Sequence, residues 1–62
     1  MDHTEFAELL KELLFERQDE EPETGIRNVT TFAEERLLTS NDGLIVKFDK
    51  GEEFQLTIVR SR

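Results

Sequence analysis

Glu5, Glu8, Glu12 and Glu16 recur at steps of three and four residues, and Asp19, Glu20, Glu21 and Glu23 follow within a few positions. Carboxylates at that density can do three things. Paired in a cleft they act as general acid and base, gathered around a cation they ligate it, and spread over a surface they hold a basic partner. Catalysis needs one member of a pair pushed above its ordinary pKa by burial, and 62 residues leave little interior in which to do so. Ser40 and Ser61 lack a plausible base, because His3 is the single histidine and sits where a chain frays. There is no glycine-rich phosphate loop and no nucleotide-binding fingerprint. The acidic run "DEEPE" has neither the alternating oxygen ligands nor the turn glycine of a calcium loop. With no cysteine, thiolate metal sites and disulfides are also out. The expectation is therefore a protein with no catalytic residues, no metal site and no cofactor.

That leaves the surface role. Fifteen acids against eight bases give a net charge of −7, which disfavours direct contact with nucleic acid or an anionic membrane. Residues 1–31 hold nine acids and three bases, whereas residues 32–62 hold six and five, so the acidity belongs to the first half. On a helix, carboxylates four residues apart are separated by about 6 Å along the axis, while one DNA strand carries a phosphate every ~3.4 Å. The strip alone thus has about half the charge density of the backbone it would imitate. Two uses remain for it: docking a basic groove, or keeping a small domain in solution. The start "MDHTEFAELL" has no basic segment followed by an apolar run, and no stretch approaches the roughly 20 apolar residues of a membrane span. Together with the absent cysteines this reads as a cytoplasmic protein.

The elements carrying these residues follow from periodicity. Phe6, Leu9, Leu10, Leu13 and Leu14 fall at i, i+3, i+4, i+7 and i+8, which predicts an amphipathic helix over about 3–17. Asp2 and Glu5 stand as cap and capping-box partner. "QDEEPETG" is polar, lacks a period and carries Pro22 and Gly25, so residues 18–25 read as a mobile acidic connection. From about 26 to 60 the chain is β-rich. "LIVKF" places Leu44, Val46 and Phe48 on one face, and "FQLTIV" does the same for Phe54, Leu56 and Ile58. A loop of Asp49, Lys50 and Gly51, with the glycine left-handed, sets Phe48 against Glu52, Val46 against Phe54 and Leu44 against Leu56, and puts Lys47 opposite Glu53. A two-residue loop would turn one apolar face outward. By the same logic Asn41, Asp42 and Gly43 close a second bend that pairs Leu38 with Val46, adding a strand near 36–40 and leaving "GLIVKF" central. Residues 26–35 fit two descriptions: a short helical turn capped by Thr31 and Glu34, or a further edge strand "IRNVTTF".

The fold expected is α+β: one N-terminal amphipathic helix on an antiparallel meander of three strands, with room for a fourth. Its leucine stripe faces Leu38, Leu44, Val46, Phe54, Leu56 and Ile58. Some apolar residues are then left over. Phe15 lies about 180° around the helix from Phe6, and Leu37, Ile45 and Val59 alternate onto the other sheet face. Contiguous exposed apolar surface marks an interface, so Phe15, Leu37, Ile45 and Val59 are the candidate partner-binding residues. Arg60 and Arg62 at the tail suit an edge strand guarded by charge. The function expected is a noncatalytic protein-interaction module that binds a protein partner or itself, a homodimer being one form. The alternative is an acidic inhibitor or nucleic-acid mimic working through Glu5, Glu8, Glu12 and Glu16 and the following loop.

Overall fold

A computed structural model describes residues 1–37 and 41–62. The Asp2 carboxylate accepts the Glu5 amide N–H at 2.8 Å, which satisfies one of the orphan donors of a helix start. Helix α1 accordingly begins at His3; it runs to Glu20, about one turn past the predicted end near Arg17. Glu21, which precedes Pro22, leaves helical geometry at φ −133°, as the proline ring requires of its predecessor. Residues 18–25, predicted as a mobile connection, make specific bonds instead. Pro22–Thr24 form a 3₁₀ turn closed by Gly25 at φ 76°. The Gln18 side chain accepts the Ile26 N–H at 2.7 Å and donates to the Pro22 carbonyl at 3.0 Å. One polar side chain from the helix thus bonds the backbone at both ends of the bend.

Strands β1 (Ile26–Thr31), β2 (Gly43–Phe48) and β3 (Glu53–Thr57) form an antiparallel sheet in the order β1-β2-β3. The β2–β3 hairpin has the predicted register, with Val46 opposite Phe54 and Leu44 opposite Leu56. Gly51 takes φ 99°, and Phe48 donates its N–H to Glu52 at 2.8 Å, which closes the three-residue loop. On the outer face Lys47 and Glu53 lie 3.9 Å apart.

The third strand departs from expectation. Val46 has Val29 on its other side, not Leu38, so β1 occupies the place assigned to residues 36–40. Residues 38–40 lie outside the described part; Arg36 ends a turn, and Leu37 after it belongs to no strand. Both descriptions of residues 26–35 hold, one after the other: a strand through Thr31, then a turn. In that turn Thr31 Oγ1 accepts the Glu34 N–H, and Glu34 Oε1 accepts the Thr31 N–H, both at 3.1 Å, which completes the capping box. It ends as a Schellman motif, Leu37 N–H to Phe32 O and Arg36 N–H to Ala33 O, with Arg36 left-handed at φ 56°.

Gly43 corrects a second reading. It is the first residue of β2, opposite Thr57, and not a left-handed loop residue. Space is what it provides: a Cβ there would lie 2.1 Å from the Leu56 carbonyl oxygen and 2.5 Å from the Phe32 ring.

The core consists of Ala7, Ile26, Val29, Leu44 and Val46, with Leu10, Leu14, Phe48 and Ile58 packed around it. The predicted leucine stripe is only partly used. Phe6, Leu9, Leu13, Phe54 and Leu56 are exposed, Phe54 at 57% and Leu13 at 50%. The cause is an offset helix. α1 packs chiefly on β1 and touches β2, approaching through the small, fully covered Ala7. A helix about 10 Å across covers only about two strand spacings of ~4.8 Å, so the third strand is left outside.

Candidate interaction site

Glu5, Glu8, Glu12 and Glu16 are all exposed. At 100° per residue they lie nearly opposite the stripe of Ala7, Leu10, Leu14 and Gln18 that meets the sheet. Asp19, Glu20 and Glu23 continue the exposed acidic surface, whereas Glu21 is half-buried and bonds Arg17 at 3.2 Å. The strip is therefore continuous and solvated. Among the described residues, no three His, Asp or Glu side chains come together to hold a metal ion, and no buried side-chain nitrogen or oxygen lacks a partner. What such a strip can do chemically is present charge to a surface.

The predicted apolar set is dispersed. Ile45 is half-buried and flanked across the sheet by Thr30 and Gln55, with the Lys47–Glu53 pair two positions on. The outer sheet face is polar around it. Val59, 70% exposed, lies past the end of β3. With Met1, Phe6, Ile58 and Arg60 it lines a depression of about 280 Å³. Leu37 and Phe15 are exposed, Leu37 beyond the turn and Phe15 on the helix flank away from Phe6. Sequence periodicity treats Val59 as a strand residue of the outer face; the structure seats it beside the helix start.

Other apolar side chains are exposed on the helix and on β3. All five residues of β3 are exposed. Phe54 and Leu56 are paired with Val46 and Leu44 and so point to the helix side, with no helix above them. Phe6, Leu9 and Leu13 lie at i, i+3 and i+7 of α1; Phe6 shares the depression with Ile58, just past β3, Leu13 follows on the same flank, and Leu9 lies further round towards Glu16. These five side chains were all assigned to the core by periodicity. A signal for their exposure was present: the stripe from Leu9 round to Leu14 spans about 140° of the helix, wider than the ~100° that one packing face needs.

Polar contacts hold the helix in its offset position. Lys11, on the opposite flank from Leu9, bonds Glu34 at 2.6 Å, and the same carboxylate caps Thr31. The Lys11 ammonium, and next the Thr31 amide, lower the Glu34 pKa below its ordinary 4.5. At the helix start the Glu5 amide lowers that of Asp2 below 3.8. Thr4 Oγ1 donates to Asp42 at 3.1 Å, and His3 Nδ1 lies 3.3 Å from the same carboxylate.

Compared with protein-family models, curated proteins and solved structures, the chain finds no match in any of the three. Among the described residues no helix is long and apolar enough to cross a membrane.

Proposed function

We propose that this chain is a noncatalytic, cytoplasmic protein-interaction module that docks through the face formed by Phe6, Leu9 and Leu13 of α1 with Phe54 and Leu56 of β3. The observation that supports this reading is the offset helix. A domain that buries Ala7, Val29, Leu44 and Val46 almost completely leaves five large apolar side chains exposed on α1 and β3, and large exposed apolar surface marks interfaces. The absence of cysteine fits a reducing compartment. The face replaces the outer sheet surface around Leu37, Ile45 and Val59 as the docking site, because Ile45 stands among polar neighbours.

The acidic strip supports the alternative of an inhibitor or nucleic-acid mimic, since Glu5, Glu8, Glu12 and Glu16 are exposed and continuous. The two readings respond oppositely to salt: apolar docking persists or strengthens as salt rises, and docking by carboxylates weakens steeply. Pull-down from the native host at low and high salt, using the natural chain, a Leu9→Asp/Leu13→Asp variant and a Glu8→Gln/Glu12→Gln/Glu16→Gln variant, separates them. The proposal requires binding that survives high salt and is lost in the aspartate variant. Binding lost in the glutamine variant and retained in the aspartate variant would give the role to the acidic strip.

A further inference from the structure

The two edges of the sheet differ. Along β1 the ladder is interrupted by a bulge between Ile26 and Asn28, a device that spoils an edge as a template for pairing. Along β3 the register runs unbroken from Glu53 to Thr57. Phe48 donates to Glu52 O, and Ile58 donates to Asp42 O. Even-numbered residues of this strand therefore turn their backbone groups towards β2. By the alternation of an antiparallel ladder, Glu53, Gln55 and Thr57 turn theirs outward.

We infer that the occupant of this edge is a second copy of the same chain, its β3 paired antiparallel to the first about a twofold axis at Leu56. This inference rests on the reading of the helix–β3 face as an interaction surface and names its partner. Geometry and charge select the register. Pairing must match outward-turned residues with outward-turned residues, which restricts the axis to a few positions. Centred on Leu56, the seam sets Leu56 against Leu56 of the second copy once, on the axis, and, twice each by symmetry, Phe54 against Ile58 and Glu52 against Arg60. All are non-hydrogen-bonded pairs, the kind that bring side chains closest, with Cα atoms about 4.5 Å apart. Gln55 then bonds Thr57 of the second copy. Centred on Gln55, the seam would oppose Glu52 to Ile58; centred on Thr57, it would oppose Phe54 to Arg60. On the helix side of the sheet, only the Leu56 axis joins apolar to apolar and acid to base from Glu52 to Arg60. The segment from Phe54 to Val59 carries no charge, so no like charges face each other at the centre of the seam although each chain carries −7. The product is a six-stranded sheet with both helices on one face, a self-complementary twofold interface.

The chain has no cysteine, so a single introduced thiol reports the register directly. Sedimentation of the natural chain over a range of concentrations should show a shift from the mass of one chain to that of two. Gln55→Pro removes an outward N–H and leaves the β2 ladder intact; it should stay at the mass of one chain. Under mild oxidation Leu56→Cys should crosslink to a covalent dimer, and Gln55→Cys and Thr57→Cys should crosslink far less. Single-chain mass at every concentration overturns the self-pairing while leaving the docking face to the salt-resolved pull-down. A dimer that persists in Gln55→Pro, or that crosslinks through Gln55→Cys in preference to Leu56→Cys, overturns the edge or its register.

Discussion

The β1 side of the molecule and the β3 side differ in what covers them, although both flank the same central strand. On the β1 side, α1 lies over Val29 and Ile26, Gln18 bonds the incoming backbone, and the Thr31–Glu34 box is tied to Lys11. On the β3 side, the strand is paired, among the described residues, along one edge only and its apolar residues meet solvent. One helix cannot span three strands, and this helix lies to the side where its small residue and its polar bonds hold it. Burial and apolar exposure are thereby divided between opposite sides of β2.

Substitution can break that division. The largest effect is expected on the closed side: Leu44→Ala removes a side chain that is 1% exposed and should cost about 2–5 kcal/mol, enough to unfold a domain of this size in urea titration followed by circular dichroism. Gly43→Ala should cost ~3 kcal/mol by the same measurement, because the new methyl meets a backbone carbonyl and a buried ring that cannot both move aside. Gln18→Ala should cost about 1–2 kcal/mol by leaving the Ile26 N–H without its partner. The open side should be nearly silent in the monomer: Leu56→Ala is expected to change stability by less than about 1 kcal/mol, since the residue is 45% exposed. A loss at Leu56 as large as that at Leu44 would erase the distinction.

Acid offers a finer probe. The Asp2 and Glu34 carboxyls are held below their ordinary values, so the unfolded chain binds protons more readily than the folded one. Their contribution is complete above the unfolded-state values near 4 and is lost as pH falls through the lower folded-state values. Glu34→Gln should flatten the fall in stability between about pH 5 and 3, measured by urea titration across that range. An unchanged acid slope would detach the Lys11–Glu34–Thr31 linkage from the stability of the β1 side.

Much of the β2–β3 hairpin is legible in the chain because its signals are local. Two alternating runs and a glycine needing positive φ admit one register that keeps both apolar faces together. β1 is harder to read for a specific reason. The bulge at Arg27 shifts the parity, so its buried residues are Ile26, Val29 and Thr31, which is no simple alternation. The Asn41–Gly43 bend misled because a glycine after Asn-Asp looks like a turn residue, while here its missing Cβ makes room for Phe32. Of the candidate site residues, the acidic strip stands where helical spacing puts it and Val59 does not, because it lies past the end of β3; the exposed Phe6, Leu9, Leu13, Phe54 and Leu56 were hidden by their core periodicity.

Local chemistry sufficed for the start of the helix, the Asp49–Gly51 loop, the pairing of Val46 with Phe54 and the exposure of the glutamates, since each depends on groups within a few residues along the chain or across one hairpin. Which strand joined the other edge of β2, and which part of the leucine stripe met the sheet, depended on contacts between distant segments: Ala7 settling over β1, and Lys11 reaching Glu34. A hydrophobic period marks what is able to be buried; the lateral position of one helix on three strands selects what is.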